Sequence, residues 1–260
     1  MSIQAIIFDL DETLIIDDEA THQALEQVGT YAHAQVGVDA GLLACTAYTY
    51  AQRLWVEGPV FQYSDMLGIS ASEGLWGRFE GGDSRLQALH DWAPSYQREA
   101  WRFALKQQNV DDENLAVRLA ELFQARRYAC QRLFPEAIAV LQALRRSYKL
   151  ALLTNGAPDM QREKIKYFQL APYFETIVVS GEVGVGKPQP AIFHTVLKQL
   201  EVAPQDAMMV GDSLERDIKG AYQSGLKSAW VNRRDLPCEP EYGSFVHTEI
   251  ANLDELEHVL

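Results

Sequence analysis

The stretch Ile3-Gln4-Ala5-Ile6-Ile7-Phe8-Asp9-Leu10-Asp11-Glu12-Thr13 begins as an almost unbroken apolar run and then ends in carboxylates. In an extended chain, Asp9 and Asp11 project to the same side of the backbone. Carboxylates placed in this way repel each other, and one takes up a proton unless a cation lies between them. Hard divalent metals with oxygen ligands are a common cation at such sites. The stretch therefore predicts a strand that carries two carboxylates to a metal, or else an acidic turn that only ends a strand.

Four later stretches share the short, apolar and non-alternating character of this first run. Such runs are typical of strands that are buried on both faces of a parallel sheet. The stretches are Lys149–Leu153, Thr176–Val179, Ala207–Val210 and Lys227–Val231. Helical stripes separate them, formed by Val140 with Leu141 and Leu144, Ile165 with Phe168, Ile192 with Val196 and Leu200, and Ile218 with Ala221 and Tyr222. Strands that alternate with helices predict an α/β fold with a Rossmann-like, doubly wound parallel sheet.

Residues 17–133 differ from the rest of the chain because no stretch in them predicts a strand. Leu43 and Ala47 begin one apolar helical face, and Leu115 and Leu119 begin another. A glycine-rich, aromatic segment, Gly74–Gly82, lies between these helical patterns. We therefore predict a core formed by residues 1–16 and 134–260, with an all-helical domain, 17–133, inserted after the first strand.

The 260-residue chain is strongly acidic, with 23 lysine and arginine residues against 36 aspartate and glutamate residues and a net charge of −13. Such a surface argues against nucleic acid or an anionic membrane as a partner. No apolar run approaches the roughly 20 residues of a membrane helix, and no signal peptide is visible. Cys45, Cys130 and Cys238 match neither a disulfide framework nor a zinc motif. We therefore expect a cytoplasmic protein with three buried thiols.

Two further motifs follow predicted strands and could bind phosphate. Leu152-Leu153-Thr154-Asn155-Gly156 places a hydroxyl and a free backbone N–H where they can hold a phosphate oxygen, although Thr-Asn-Gly also suits a plain turn. Gly184-Val185-Gly186-Lys187-Pro188 combines glycines that let the backbone approach a ligand with a lysine that the proline pushes towards an extended conformation. The alternative for this second motif is a surface loop.

The fourth motif is Val210-Gly211-Asp212-Ser213-Leu214-Glu215-Arg216-Asp217. Asp212 ends a buried strand, where a metal ligand would lie, whereas Asp217 could be only a favourable charge in a first helical turn. All four motifs lie at the carboxyl ends of different predicted parallel strands. This is the edge at which open α/β sheets bind ligands. The sequence therefore predicts one site built from all four motifs.

In this order, the four motifs resemble those of the haloacid dehalogenase superfamily of phosphohydrolases. The matching residues are Asp9-Leu10-Asp11-Glu12-Thr13, Thr154-Asn155, Lys187-Pro188, and Gly211-Asp212 with Asp217. The resemblance covers segments 1–16 and 134–260, and segment 17–133 looks like the family's helical cap of the first type, which governs substrate specificity. It implies a magnesium-dependent phosphatase that acts on a small phosphorylated metabolite.

The resemblance implies roles for the acidic residues. Asp9 is the expected nucleophile, which attacks phosphorus and forms an aspartyl-phosphate. Asp11 is the expected general acid that protonates the leaving alkoxide, and then the base that activates water. Mg²⁺ would be held by the Asp9 carboxylate, the Asp11 backbone carbonyl and Asp212. Asp217 would orient bound water or Lys187.

Other motif residues are expected to bind the phosphoryl group. Thr154, the Asn155 backbone and Lys187 would hold its oxygens and neutralise charge in the transition state. Thr13 would brace the first loop through its hydroxyl, although a turn-capping threonine is equally expected. Lys187 and the metal would thus supply the local positive field that an acidic chain lacks.

The substrate is suggested by shorter similarities. The segment from Leu153-Thr154-Asn155-Gly156 to Arg162-Glu163-Lys164 looks like the branch that contains N-acylneuraminate 9-phosphatase and small nucleotidases. The segments around Trp76 and Trp101 are similar to a bacterial group assigned as phosphoserine phosphatases, which implies O-phospho-L-serine and serine biosynthesis. Arg78 could pair with a substrate carboxylate, and Trp76 and Phe79 could also contact the leaving group. The alternative is that both aromatic residues fill the cap core and that Arg78 is solvated.

Other functions remain open at this stage. The chain could hydrolyse acylneuraminate 9-phosphate, a sugar phosphate or a nucleoside monophosphate. A phosphomutase would use a cap histidine, and His22 lies close to the expected position. A dehalogenase is disfavoured because family dehalogenases lack the second acidic residue, here Asp11. A non-enzymatic scaffold is disfavoured because no motif residue is lost, and the sequence allows a monomer or a dimer.

Overall fold

The computed structural model describes residues 3–81 and 84–260. Met1 and Ser2 of the predicted core segment and Gly82 of the glycine-rich segment lie outside the described residues. The chain forms two compact units. The sheet unit comprises the described residues up to Ile16 together with Leu133–Gly156 and Gln161–Leu260. The helical unit comprises those of Asp17–Arg132 together with Ala157–Met160, a short piece that lies within the predicted core segment 134–260.

The bounds of the elements are as follows. The strands are β1 (Ala5–Phe8), β2 (Ile15–Ile16), β3 (Arg132–Leu133), β4 (Lys149–Thr154), β5 (Thr176–Val179), β6 (Ala207–Gly211), β7 (Lys227–Val231) and β8 (Thr248–Ile250). The α-helices are α1 (Asp18–Val36), α2 (Ala40–Val56), α3 (Phe61–Leu67), α4 (Ala71–Gly74), α5 (Ser84–Lys106), α6 (Glu113–Ala129), α7 (Ala137–Leu144), α8 (Pro158–Tyr167), α9 (Ser180–Val183), α10 (Pro190–Leu200), α11 (Gly220–Gln223) and α12 (Leu256–Val259). Short 3₁₀ helices lie at Ala171–Tyr173, Pro204–Asp206 and Leu253–Glu255, and a π-helical segment at Leu214–Lys219.

The sheet unit is built on six parallel strands in the order β5-β4-β1-β6-β7-β8. This confirms the predicted doubly wound α/β core, with β1 at its centre. The sixth strand, β8, escapes the sequence analysis because it has only three residues, of which Glu249 is exposed.

Both faces of the sheet are covered, which explains why the strands do not alternate in polarity. Ile6 and Phe8 pack into one apolar cluster with α7, whereas Ala5 and Ile7 pack into another with α10. The residues of the predicted helical stripes are buried or partly buried, with one exception. Tyr222 is 54% exposed, because its neighbour Ala221 points inwards and the next residue of a helix lies about 100° further round.

The helical unit has its own apolar core, drawn from α1, α2, α5 and α6. Among the described residues of 17–133, the all-helical prediction holds except for β3, a two-residue strand at the very end of that segment. Several aromatic side chains meet in this core. Trp55 lies edge-on to Tyr96 with ring centroids 5.2 Å apart, and Trp101 packs against Phe123 at 5.9 Å.

The expectation of three buried thiols is wrong. Cys45 is exposed, and Cys130 and Cys238 are partly exposed. Cys45 and Cys130 lie on or at the end of helices whose apolar faces are formed by other residues, and Cys238 lies in the irregular stretch between β7 and β8. Among the helices of the described residues, none combines the length and apolar character that a bilayer crossing requires. The cytoplasmic location and the monomeric or dimeric state stay predictions.

Candidate active site

The four sequence motifs meet at one edge of the sheet unit. β1 pairs with β4 and with β6 so that Phe8 lies level with Leu152 and Val210. In parallel strands the carboxyl ends lie at the same edge. The register therefore brings the residues that follow these strands together: Asp9 and Asp11 after β1, Thr154 and Asn155 at the end of β4, and Asp212 after β6.

Lys187 binds two of the predicted carboxylates at the centre of this edge. Its Nζ donates to Asp9 Oδ1 at 2.5 Å and to Asp217 Oδ1 at 2.6 Å. All three side chains are buried, with Asp9 7% and Lys187 5% exposed. A buried ammonium is stable only when it is paired. Asp217 therefore fixes the position of Lys187 beside Asp9, which is one of the two tasks that the family resemblance implies for it.

Burial and repulsion raise the proton affinity of the carboxylates. The pKa of Asp9 is raised to about 6, chiefly by burial and also by Asp217, although Lys187 opposes the shift. Burial likewise holds the pKa of Asp212 well above its ordinary value, with added repulsion from Asp9 and Asp217. Burial alone would lower the pKa of Lys187, but its two carboxylate partners outweigh burial and raise it. Three ionised carboxylates with one ammonium leave two negative charges uncompensated, which a divalent cation can balance.

The acidic cluster fits a metal ion in its dimensions. Asp9, Asp212 and Asp217 each offer a carboxylate oxygen, and these atoms lie within 4.8 Å of one another. Asp217 is already engaged, because Oδ1 accepts from Lys187 and Oδ2 accepts from the Ser213 N–H at 3.1 Å. Asp9 and Asp212 are therefore the carboxylates better placed to bind an ion. An all-oxygen donor set of this kind suits Mg²⁺ or another hard cation.

The predicted phosphate-binding residues form a second cluster around Asn155. The Asn155 side chain donates to the Lys187 carbonyl at 3.0 Å and accepts from the Lys187 N–H at 2.8 Å. These two bonds fix the lysine backbone at the end of β4. The sequence analysis assigns Asn155 only a backbone role and misses this contact, although an amide that faces a loop backbone commonly bonds in this way. The Thr154 hydroxyl is buried and donates to the Asn155 carbonyl at 3.2 Å.

Thr13 lies within the first motif as predicted, but its contact with Asp9 is long. Its hydroxyl is 3.4 Å from Asp9 Oδ2, at the limit of a hydrogen bond. The Thr13 carbonyl accepts from Arg233 Nη2 at 3.0 Å. Arg233 also forms an ion pair with Glu136 at 2.7 Å. The loop is thus anchored through a residue that the sequence analysis does not identify.

Asp11 is held by two residues of α8 that the sequence analysis does not assign. Lys164 Nζ lies 2.8 Å from Asp11 Oδ1, and Gln161 Nε2 lies 2.8 Å from Oδ2. Both donors come from one face of the helix, since residues three apart in sequence are neighbours on a helix. A polar pair at this spacing just after the Thr-Asn-Gly motif is the signal that could have identified them.

The residues suggested for leaving-group recognition lie in the helical unit. Trp76 and Phe79 are fully buried in its core, and the Arg127 guanidinium lies over the Trp76 ring at 4.9 Å. Full burial favours the alternative interpretation, in which these two aromatic residues are core. Arg78 is exposed. His22, the candidate mutase histidine, is exposed on α1 with its ring 6.1 Å from Tyr48.

The sequence of this chain is similar to those of known hydrolases. A family model for haloacid dehalogenase-like hydrolases matches residues 3–225. Phosphoserine phosphatase from Thermus thermophilus is 39% identical over 242 residues, which cover 92% of this chain and 92% of that protein. N-acylneuraminate-9-phosphatase from Rattus norvegicus is 30% identical, and the match covers 89% of this chain and 83% of that protein.

Solved structures share the fold. The HAD-hydrolase YfnB from Bacillus subtilis, solved bound to magnesium, has a TM-score of 0.66 at 22% identity and covers 100% of this chain and 99% of its own. A 2-haloacid dehalogenase from Pseudomonas syringae pv. Tomato DC3000 has a TM-score of 0.61 at 26% identity, with 99% and 97% covered. The family match spans most of the sequence, and the relatives from Thermus thermophilus and Rattus norvegicus are phosphatases. This chain therefore belongs to the haloacid dehalogenase-like hydrolases and is a phosphoric monoester hydrolase.

Proposed function

We propose that this chain hydrolyses O-phospho-L-serine in a magnesium-dependent reaction that passes through an aspartyl-phosphate on Asp9. The reaction type rests on one observation above all, the buried contact of Asp9 with Lys187 at the carboxyl edge of the sheet. The substrate rests on the 39% identity with a phosphoserine phosphatase, which extends over 92% of both chains.

The first step is attack of an Asp9 carboxylate oxygen on phosphorus. An oxygen–phosphorus bond to Asp9 forms while the bond to the seryl oxygen breaks, and Asp11 donates a proton to the departing alkoxide. Lys187 neutralises negative charge on the phosphoryl oxygens, and Asp217 keeps that ammonium in place through its 2.6 Å contact. Thr154 and the Asn155 backbone N–H bind the remaining oxygens.

The second step returns Asp9 to its starting state. Asp11, now a carboxylate, takes a proton from a water molecule that attacks the aspartyl-phosphate. The phosphorus–Asp9 bond breaks, and inorganic phosphate leaves with Asp9 as a carboxylate. Asp9 and Asp212, with the Asp11 backbone carbonyl, would hold Mg²⁺. When bound, the ion supplies positive charge that offsets repulsion between the carboxylates and the phosphate.

A second candidate substrate class has its own support. N-acylneuraminate-9-phosphatase from Rattus norvegicus matches at 30% identity, and pyrimidine 5′-nucleotidase YjjG from Escherichia coli matches at 31% over 85% of this chain. These relatives act on phosphomonoesters with different leaving groups. We propose that the helical unit, rather than the shared core, selects among such leaving groups, with exposed Arg78 as the candidate for a substrate carboxylate.

The test is phosphate release from a panel of monoesters, with Mg²⁺ and with a chelator. The panel contains phosphoserine, acylneuraminate 9-phosphate, sugar phosphates and nucleoside monophosphates, and Asp9→Asn is the blank. We expect magnesium-dependent release that is fastest for phosphoserine. Another preferred ester would overturn the substrate but not the reaction. No release from any ester by folded protein would overturn both, and conversion of a sugar phosphate into its positional isomer, dependent on a sugar bisphosphate, would indicate a mutase.

A further inference from the structure

Helix α8 turns two polar side chains inwards, whereas the charged residues next to them on the helix are exposed. Gln161 is 0% and Lys164 1% exposed, whereas Arg162, Glu163 and Lys166 on the same helix are exposed. Burying an ammonium costs free energy unless a partner of opposite charge lies beside it. The partner is Asp11, at 2.8 Å from Lys164 Nζ. An ordinary surface helix would not need this arrangement.

The two donors bind the two oxygens of Asp11 separately. Lys164 binds Oδ1 and Gln161 binds Oδ2, each at 2.8 Å. One donor alone would let the carboxylate swing about its side-chain bonds, but two donors on different oxygens fix both its position and its plane. The Asp11 side chain itself keeps 26% of its surface exposed. It is therefore fixed from one side and accessible from another.

Gln161 also contacts the phosphate-binding cluster. Its Nε2 lies 2.7 Å from Thr154 Oγ1 and 2.7 Å from the Asn155 carbonyl. The Gln161 amide has two hydrogens, which it shares among these two oxygens and Asp11 Oδ2. When it donates to Thr154, the hydroxyl hydrogen of Thr154 must go to another acceptor. In this structure that hydrogen goes to the Asn155 carbonyl over a long 3.2 Å. When a substrate binds, one of its phosphoryl oxygens can replace the Asn155 carbonyl as the acceptor. Gln161 thus leaves the Thr154 hydroxyl ready to donate to the phosphoryl group.

We propose that Gln161 and Lys164 are positioning residues that aim Asp11 at the leaving-group oxygen. This inference rests on the proposed function, in which Asp11 acts as the acid. Neither residue touches the reacting atoms, and both act through Asp11, with Gln161 acting also through Thr154. The pair defines the direction from which the proton is delivered.

Residues that only stabilise the fold would affect the hydrolysis of all esters alike, whereas residues that position Asp11 would not. A proton must reach the leaving oxygen when an alkoxide departs, as from phosphoserine, but not when 2,4-dinitrophenolate departs, because that anion is already stable. The ratio kcat/KM reports the step in which the leaving group departs. Loss of the Lys164 contact with Asp11 should therefore lower kcat/KM for phosphoserine and leave kcat/KM for 2,4-dinitrophenyl phosphate nearly unchanged.

The experiment compares Lys164→Met and Gln161→Met with Lys166→Met, which removes the same charge from an exposed position of the same helix. We expect Lys164→Met to lose at least about tenfold in kcat/KM for phosphoserine and less than about threefold for the dinitrophenyl ester. Gln161→Met also removes the contact with Thr154, so it should lower kcat/KM for both esters, but more strongly for phosphoserine. Lys166→Met should match the wild type on both. Lys164→Arg keeps a charged donor and should retain more phosphoserine activity than Lys164→Met. Thermal melting of each variant verifies that it is folded.

A double-mutant cycle tests whether Lys164 acts through Asp11. If Lys164 acts through Asp11, then Lys164→Met should change kcat/KM by less than about twofold in an Asp11→Ala background, measured with the dinitrophenyl ester and with phosphoserine. Equal losses on both esters, no loss on either, or an undiminished loss without Asp11 would each overturn the inference. The proposed function is judged separately, by whether the wild type hydrolyses phosphoserine. If another alkyl ester proves best, that ester replaces phosphoserine in the comparison.

Discussion

Replacement of Asp9 by asparagine should stabilise the metal-free protein at neutral pH. Asp9 is buried near Asp217 and Asp212, and its pKa is raised from 3.8 to about 6. The folded state therefore binds this proton more tightly than the unfolded chain does. The resulting stability is fully present below pH 3.8 and is lost as the pH rises through about 6. Asparagine imitates the neutral carboxyl at every pH.

The magnitude follows from the shift. A rise from 3.8 to about 6, at about 1.36 kcal/mol for each pKa unit, corresponds to about 3 kcal/mol. In the absence of metal and at about pH 7.5, Asp9→Asn should exceed the wild type in unfolding free energy by an amount of this order. The gain can be larger, since Asp9 is also one cause of the raised pKa of Asp212. For a chain of this size it corresponds to roughly 6–12 °C in melting temperature.

The assay is urea or thermal unfolding in a chelator, from about pH 4 to pH 8. The difference between variant and wild type should be small at the acid end, grow between about pH 4 and pH 6, and level off above about pH 6. Asp254→Asn, at an exposed aspartate, should change little at any pH. Saturating Mg²⁺ should stabilise the wild type and reduce the advantage of the variant. A variant that is less stable than wild type at neutral pH without metal, or a difference independent of pH, would refute the reasoning.

Three further outcomes are expected. Lys187→Met should reduce phosphate release by about a thousandfold or more, because the phosphoryl group loses its ammonium partner, and a phosphate-release assay on folded protein checks this. Asn155→Ala should lower kcat/KM by about ten- to a hundredfold, because it removes the two hydrogen bonds that fix the Lys187 backbone and a misplaced lysine binds the transition state less well. Unchanged kinetics would contradict this expectation. Arg78→Met should raise KM for phosphoserine several-fold and leave phenyl phosphate, which has no carboxylate, unchanged; an equal effect on both esters would remove Arg78 from the specificity argument.

The core of the site is predictable from the sequence because sheet topology alone determines where it lies. Apolar runs without alternation indicate parallel strands, and parallel strands end at one edge. Once Asp9, Thr154 and Asp212 are assigned to strand ends, their proximity needs no knowledge of side-chain conformations. The same argument places Lys187, which follows β5 after one short helix.

The contacts of Gln161 and Lys164 with Asp11 are not predictable in this way. Gln161 and Lys164 belong to a helix rich in charged residues, where the sequence does not distinguish an inward lysine from Lys166, which is exposed. The distinction depends on the rotation of α8 about its axis, which only packing determines. For the same reason the sequence leaves two interpretations of Trp76 and Phe79, and packing in the helical core decides between them.

The net charge of the chain is a poor guide to the charge of its substrate. Exposed charges are screened by salt over about 8–10 Å, so most of the acidic surface contributes little at the site. Lys187 and Lys164 are 5% and 1% exposed, and interactions of buried charges are much less screened. Four carboxylates, those of Asp9, Asp11, Asp212 and Asp217, lie around these two ammonium groups. A divalent cation would therefore have to add its charge to theirs before the site could attract a phosphate ester. We therefore expect the acidic surface to disfavour polyanions as partners, while the buried ammonium groups together with such a cation can still receive a small phosphate ester.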